Sequence, residues 1–477
     1  MRATFYAFEA AKSGLTAAQA GLDVTANNIA NQSTEGYSRQ IVDQAATHPR
    51  INLYRLAQNN VLSYDMGVEV KGIRQMRDQF LDLRYRSANA QNGAVSKTLS
   101  ILTDMENSLD ETQTDGLNVM LQDFYAQLQT LSQNAGEVEF SSLVRSSAQK
   151  VTQSINHYAV QLSNISAQEI DSIGIGVRDV NTLLGKIDTI NHSIQAAKLQ
   201  GNSINELSDT RNVYLDQLSS YMDITTTEHD DGTLSIKAGG EFLLDAPNNT
   251  VAAVTVAGSA GNISIEADGN TMALQSGSLA GSMQVLNGYG SYASAGQSSF
   301  RGIPYYLASL DSLADSLGST FNGINDVSGT GKPLFTGNTA STIAISSQWL
   351  ADANYITSTA DASQEAGKND NILNFIEAMD EDRDISSNFH GTFEDFTLSM
   401  MTDIAIDISY NKDVSDTSNM VVASITNQRQ AIMGVDINEE TANLMKYQRA
   451  FEASSRVITA MDEALDILIN RTGMVGR

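Results

Sequence analysis

The sequence predicts a mainly α protein with a β-rich insertion: long heptad helices from both termini paired, a helical-bundle middle domain, and an outward β domain. Three observations carry this prediction. Apolar residues recur every seven positions at both ends of the chain. Proline is absent between Pro49 and Pro247 and again after Pro333. The texture changes to short β-rich runs divided by glycine between about Asp223 and Gly296. Heptad recurrence lays a narrow apolar stripe along one helix face. Long proline-free stretches permit long helices, because proline removes a backbone donor and clashes with the preceding turn.

At the amino end the stripe is Phe8, Leu15, Leu22 and Ile29, flanked by Ala11, Ala18 and Thr25. At the carboxyl end it is Ile437, Leu444, Phe451, Ile458 and Leu465, beside a second row of Tyr447, Ser454, Met461 and Leu468. Asn438, before Glu439 and Glu440, reads as a cap with acids in the first turn. Seams at opposite ends of the chain predict that the ends meet, with Phe8, Leu15, Leu22 and Ile29 near Leu444, Phe451, Ile458 and Leu465. A lone amphipathic helix of about thirty residues is marginal in water. The pairing is therefore expected to complete only where neighbouring copies share the burial.

Between the ends, Val68, Val70 and Ile73 form a short strand after an extended stretch through Pro49 and Tyr54. A helix runs from about Asp78 to Leu109 on the seam Leu81, Ala88, Val95, Leu102, Leu109. Leu117, Leu121, Phe124, Leu128 and Leu131 give a shorter one. From Phe140 to Ile194 the periodicity is continuous, enough for one helix of about 80 Å at 1.5 Å per residue, with Gly174 and Gly176 as candidate bends or breaks. Leu207 to Met222 is helical. Helix returns at Pro304, well placed for a first turn, and again from Phe393. Ile343, Ile345 and Ile356 suggest a small strand patch, and Ala360 to Asp370 a loop. The domains that follow are 1–48 with 430–477 (terminal paired-helix axial domain), 49–222 with 297–429 (helical bundle) and 223–296 (β-rich outward domain). The last is expected to be a replaceable module.

The chain has 477 residues, a net charge of −27 and a pI of about 4.4. Such a surface is repelled by nucleic-acid phosphates and anionic lipid, so neither is an expected partner. No apolar run approaches a membrane span. No cysteine is present, which excludes disulfides, thiolate catalysis and cysteine–zinc sites and suits threading through a secretion channel. The first residues show no cleaved signal peptide.

No catalytic constellation emerges. His48, His157, His192, His229 and His390 include no pair at helical spacing. His229-Asp230-Asp231-Gly232 reads as a hairpin turn. Asp380, Asp382 and Asp384 resemble the start of a calcium loop, but Ile385 and Gly391 stand where glycine and glutamate are needed; the run reads as solvated. Gly329-Thr330-Gly331-Lys332 is followed by Pro333, unlike a phosphate loop. No catalytic residue, cofactor or metal is expected.

The remaining motif is Ala26-Asn27-Asn28-Ile29-Ala30-Asn31 followed by Gly36-Tyr37-Ser38-Arg39-Gln40. Side-chain amides donate and accept at once, which suits contact between identical neighbours; an ordinary capped helix end is the other reading. Gly36 permits positive φ, and Tyr37 is a flat anchor with a polar tip. This run resembles the N-terminal signature of bacterial flagellar axial proteins, and its Ser38-Arg39-Gln40 form is similar to their hook-associated junction proteins. The carboxyl end agrees, through Asn427-Gln428-Arg429, Gly434-Val435, Glu439-Glu440, Asn443-Leu444, Tyr447-Gln448, Phe451 and Arg456-Val457-Ile458. So do Arg77-Asp78, Phe80-Leu81, Tyr85-Arg86, and Gly201 through Asn205-Glu206-Leu207, Asp209 and Arg211. The likeness covers all but about 225–280. Glu35 stands where proline is frequent, Ile432 and Met433 replace small polar residues, and Gly473 to Arg477 run past the usual end.

The resemblance implies a structural protein forming the junction ring between hook and filament by self-assembly, with terminal helices lining the channel. It implies export by the flagellar type III apparatus to the extracellular flagellum. The implied partners are further copies in a ring homo-oligomer, the hook protein, the next hook-associated junction protein, and a dedicated export chaperone at the C-terminal helix. The expected assembly interface is Phe8, Leu15, Leu22, Asn27, Asn28, Ile29, Asn31, Gly36, Tyr37, Arg39, Leu444, Tyr447, Phe451, Ile458, Met461 and Leu465. The alternatives are a fibre or tail protein of another secretion or phage system, and a wall hydrolase on a coiled-coil scaffold.

Overall fold

The computed structural model describes residues 2–47, 67–109, 116–360 and 368–467. The stretch through His48, Pro49 and Tyr54, most of the 360–370 loop, Leu468 and the tail 473–477 lie outside these. The first helix, α1 (Arg2–Ala30), leads into a two-stranded antiparallel hairpin of β1 (Gln40–Ala46) and β2 (Val68–Gln75). The last helix, α11 (Ile437–Asp466), lies along α1, so the paired termini form within one chain. α1 is held between α11 and the hairpin. That second neighbour supplies burial that the heptad pattern alone does not reveal.

The bundle contains α2 (Gln79–Ser108), α3 (Leu117–Gln133), α4 (Val138–Leu199), α5 (Asn205–Tyr221), α6 (Ser278–Leu286), α7 (Ile303–Asn325), α8 (Ser347–Ala351), α9 (Asp370–Asp380) and α10 (Phe393–Met433). α4 is a single helix of 62 residues, about 93 Å of contour at 1.5 Å per residue. Gly174 and Gly176 do not interrupt it: packing against Tyr221 and Leu279 holds the helix at Gly176. It ends at Leu199, just before a glycine. Gly201 adopts φ +73°, Asn202 N donates to the Ala197 carbonyl at 2.9 Å and Gly201 N to that of Lys198 at 3.1 Å, satisfying the last carbonyls. At the outer end of the bundle, Phe321 sits among Phe124, Phe375 and Phe335, with ring centres 5.2, 5.5 and 6.0 Å away. α10 begins at a reciprocal cap between Thr392 and Asp395.

Four features depart from the sequence expectation. The cap of α11 is Asp436, not Asn438: its carboxylate accepts from Asn438 N at 2.7 Å and Glu439 N at 3.4 Å. The acidic run near Asp380 is not simply solvated. It closes α9 and enters a hairpin of β12 (Arg383–Ser386) and β13 (Phe389–Gly391), which buries Ile385. Within the strand patch, Ile345 lies in β11 (Ala344–Ile345), paired with β10 (Phe335–Thr336), whereas Ile343 and Ile356 are buried outside it.

The fourth departure, the largest, concerns the β-rich segment. It forms two antiparallel sheets. One is β3 (Ile224–Glu228), β4 (Leu234–Ala238), β5 (Glu241–Asp245) and β6 (Thr250–Val251). The other is β7 (Val254–Ser259), β8 (Asn262–Ala267) and β9 (Asn270–Thr271). Both lie on the bundle instead of standing apart from it. Ile236, Leu244, Ile263 and Ile265 belong to the same continuous buried core as Val180, Leu184 and Ile187 of α4. Asn181 of α4 donates to the Val254 carbonyl at 2.8 Å and accepts from Val254 N at 3.0 Å; Asn191 donates to the Leu234 carbonyl at 2.9 Å. α6, within the same 223–296 stretch, packs on α2. The segment is thus part of the bundle's own core.

Replacing residues 224–271 by a short Gly/Ser linker is therefore expected to destabilise the bundle. Each large apolar side chain uncovered on α4 loses about 1.5–3 kcal/mol. A fall in melting temperature of at least about 5 °C is expected, at about 2–4 °C per kcal/mol for a domain of this size. Differential scanning calorimetry checks it.

Candidate functional site: the terminal helix pair and its polar node

The seam of the terminal pair is built from small residues. Ala11, Ala18, Thr25 and Asn28 are buried on α1, with Gly14 and Gly21 between them. A Cβ at Gly21 would lie 2.5 Å from the Tyr447 ring, and one at Gly14 3.1 Å from Ser454 Oγ. Asn28 Nδ2 donates to Glu440 Oε2 at 3.1 Å. These three contacts step by seven along α1 and by seven in reverse along α11, which makes the pair antiparallel and fixes its alignment. The absence of side chains at Gly14 and Gly21 is what lets the helices approach so closely.

Apart from Tyr447 and Met461, which stand in the seam row of α11 itself, the large apolar residues of the expected interface occupy the edge of this seam. Phe8, Leu15, Leu22 and Ile29 are half-buried, as are Leu444, Tyr447, Phe451, Ile458, Met461 and Leu465. Glu440 is the one fully buried residue of α11, at 2% exposure, and the outer face of that helix is open, with Met445 and Val457 about half exposed. Periodicity found the large side chains and the small row Ala11, Ala18 and Thr25 beside them, which is buried, but not Gly14 and Gly21, since glycine carries no pattern signal.

At the bundle end of the pair the Asn-rich motif folds back on itself. Asn28 Nδ2 also donates to the Gln40 carbonyl at 2.9 Å, and its Oδ1 accepts from Gln40 N and from Tyr37 Oη, both at 2.9 Å. Both functions of this amide are filled within the chain, so Asn28 is not placed to meet an identical neighbour. Asn31 Nδ2 donates to the carbonyl and side-chain oxygens of Asn27 at 3.0 and 2.7 Å, closing the helix end. Gly36 turns the chain at φ +75°, a conformation that favours glycine. Burial, together with the charges of Glu206, Asp209 and Glu440, pushes the Tyr37 phenol up to about 12, so it stays a neutral donor.

Arg39 binds Glu440 through Nε at 2.7 Å and Glu439 through Nη2 at 3.0 Å. Burial opposes its charge, yet these two carboxylates raise its pKa above the usual arginine value. Its backbone N donates to the Met433 carbonyl at 2.9 Å, joining the motif to the end of α10. Next to it, Asp209 of α5 accepts from Ser38 N at 3.0 Å and Ser38 Oγ at 2.7 Å. An alternating string of charges then crosses the bundle. Asp209 pairs with Arg77 (3.2 Å), Arg77 with Asp82 (2.6 Å), Asp82 with Arg429 (3.0 Å), Arg429 with Asp216 (2.7 Å) and Asp216 with Arg86 (2.9 Å). It ties α2, α5 and α10 to the hairpin.

Of this node the sequence pointed to Asn28, Tyr37 and Arg39 as site residues, but not to Glu440, Asp209, Asp82, Asp216, Arg77 or Arg429. For Glu440, Asp209, Arg77 and Arg429 the available signal was their opposite charges at motif positions spread over the whole chain; Asp82 and Asp216 stand outside those motifs. Among the described residues no group of three or more His, Cys, Asp or Glu is arranged to hold a metal, and no helix is long and apolar enough to cross a membrane.

Comparison with known proteins follows the same geography. The family described as "Flagellar hook-associated protein FlgK helical domain" matches residues 102–335. "Flagella basal body rod protein" matches 8–37 and "Flagellar basal body rod FlgEFG protein C-terminal" matches 426–471, the two halves of the terminal pair. Flagellar hook-associated protein 1 of Bacillus subtilis (strain 168) is 29% identical over 515 aligned positions covering 100% of both chains. The chain belongs to the flagellar hook-associated protein 1 family. A further member, from Escherichia coli (strain K12), is 25% identical over 96% of this chain and 98% of its own. The fold is also that of the solved flagellar hook junction protein FlgK from Burkholderia pseudomallei. That match has a TM-score of 0.60 at 12% identity, over 73% of this chain and 100% of the other. The family is a structural one, not an enzymatic one.

Asp209 tests the node. Burial pushes its carboxyl up, against the bonds from Ser38 and the charge of Arg77, so its charge is held at a cost. Asp209→Ala strands the Ser38 donors and is expected to lose about 1–3 kcal/mol. Asp209→Asn keeps an acceptor for Ser38 without the buried charge and should lose clearly less. Urea unfolding of the two variants measures the difference.

Proposed function

We propose that this chain is a structural subunit of the bacterial flagellum at the junction between hook and filament, and that the terminal pair is the surface through which it assembles. The observation that carries the assembly reading is the two-sided character of α1 and α11. Their small residues are consumed in contact with each other. Their large apolar residues, Phe8, Leu15, Leu22 and Ile29 with Leu444, Phe451, Ile458 and Leu465, remain half-buried along the edge. Burying such a side chain fully contributes about 1.5–3 kcal/mol, and several on each copy favour a ring in which neighbouring pairs cover one another. Asn27, Asn31, Gly36, Tyr37 and Arg39 then act on assembly from inside the subunit, by fixing how the pair leaves the bundle.

The partners in this reading are further copies of the chain, the hook protein on one side and the next hook-associated junction protein on the other. The absence of cysteine and the largely exposed α11 suit export through the flagellar type III apparatus with a chaperone on that helix. The product is extracellular. Neither a phage or secretion-system fibre nor a wall hydrolase has an observation in its favour.

Phe451→Asp with Ile458→Asp tests the assembly surface. Both side chains are half-buried on a helix whose other face is open, so the melting of the bundle in the purified subunit should move by no more than about 2 °C. In cells lacking the native copy, the double variant should be exported yet support no filament. Electron microscopy of flagella together with immunoblots of the culture medium reads both. Normal filaments would remove the terminal pair from the assembly surface.

A further inference from the structure

We propose that Glu440 sets the register of the terminal helix pair: the seam accepts more than one alignment, and the buried hydrogen bonds of Glu440 to Asn28 and Arg39 select one. The inference concerns the single chain and does not depend on the assembly reading.

The seam repeats itself. On α1, Ala7, Gly14, Gly21 and Asn28 stand seven apart; on α11, so do Glu440, Tyr447, Ser454 and Met461. The bulky member is Tyr447, and its ring sits in the notch left by Gly21, where even a methyl group would fall 2.5 Å away. Gly14 offers the same kind of notch and is filled at present by Ser454. Sliding α11 by seven residues toward the start of α1, about 10 Å at 1.5 Å per residue, would place Tyr447 at Gly14 and Ser454 at Ala7. The flanking rows Phe8, Leu15, Leu22, Ile29 and Leu444, Phe451, Ile458, Leu465 also repeat at seven, so apolar neighbours would meet apolar neighbours again. Shape and hydrophobicity therefore restrict the pair to steps of one heptad without choosing among them.

Polar geometry does choose. In the shifted alignment Glu440 would lie against Gly21, which offers no donor. Asn28 would lose one of its two acceptors, and Arg39 its shortest ion-pair bond. Leaving a buried charge without its partner is strongly unfavourable, and fixing the register is the best-attested use of a buried polar group in a helix pair. Slack for a slide exists at the corner between α10 and α11. Residues 430–432 and 436–438 are exposed there, and each residue leaving a helix for extended chain adds about 2 Å.

The cysteine-free chain allows a direct test in the full-length protein. Ala7→Cys with Met461→Cys, the next step of the same row, reports the native register and leaves the Gly14 notch open. Ala7→Cys with Ser454→Cys reports the shifted one, since those sites stand about 10 Å apart along the axis in the native alignment, beyond disulfide reach. With Glu440 intact, only the first pair should cross-link under mild oxidant. In the Glu440→Leu background the native cross-link should fall and the shifted one rise by about tenfold or more. Glu440→Gln, which can still accept from Asn28, should restore much of the native signal. A native cross-link unchanged in Glu440→Leu, with the shifted pair silent, overturns the proposal. Loss of both cross-links overturns it too, because Glu440 would then hold the helices together instead of aligning them.

Discussion

A carboxylate with almost no water around it, Glu440, is the constraint on which the geometry of this molecule turns. It lies at 2% exposure on a helix otherwise half-buried or open. Taking such a charge out of water is costly unless its oxygens are met. They are met by Arg39 and by Asn28, and Asn28 in turn fixes Gln40 and Tyr37. One ionised group thus obliges the end of α1, the start of β1 and the start of α11 to adopt a single mutual arrangement. Hydrophobic contact alone has no such direction.

The same logic continues into the bundle through the string from Asp209 to Arg86. Each guanidinium there meets at least one carboxylate, and Arg77 and Arg429 each meet two. The string joins segments that share little apolar core at this end, where the hairpin, α2, α5 and α10 converge. It holds them by angle and distance. Further out the balance reverses, and the ring cluster around Phe321 and the core shared by α4 and the sheets hold the structure by packing.

Much of this was legible in the sequence. The terminal helices, α2, α3, α4, α5, α7 and α10 follow from apolar spacing, and the sheets from β-rich runs broken by glycine. What was illegible had physical reasons. The seam of α1 and α11 relies on Gly14 and Gly21 as well as on the flanking row Ala11, Ala18 and Thr25, and periodicity passes over the two glycines. α9 and the β12–β13 hairpin are short and sit inside an acidic run that masks the buried Ile385. Asn28 and Glu440 are 412 positions apart, so no local window could join them. The family-like motifs did hold nearly every node residue, and pairing their opposite charges would have outlined it. Besides the shared apolar core, the β-rich segment is attached to α4 through Asn181 and Asn191, whose partners in the sheets are backbone groups, and such partners leave no trace in side-chain chemistry.

The length of α4 gives the node a mechanical meaning. The end of α4 nearest the node is its carboxyl end, where Asn191 meets Arg211 and where Asn205, just beyond, donates to the Ile73 carbonyl of the hairpin. The other end lies a contour of 62 residues away. Along a straight lever of about 93 Å, a tilt of about five degrees at the base displaces the tip by about 8 Å. Small angular errors at the root of the bundle are therefore magnified several times over at its outer end. A base clamped by short, directional ion pairs resists such rocking better than one seated on apolar side chains that can slip. In a ring built of repeated copies, angular play at each root would scatter the outer ends of neighbouring bundles, so stiffness there keeps the rim of the ring regular.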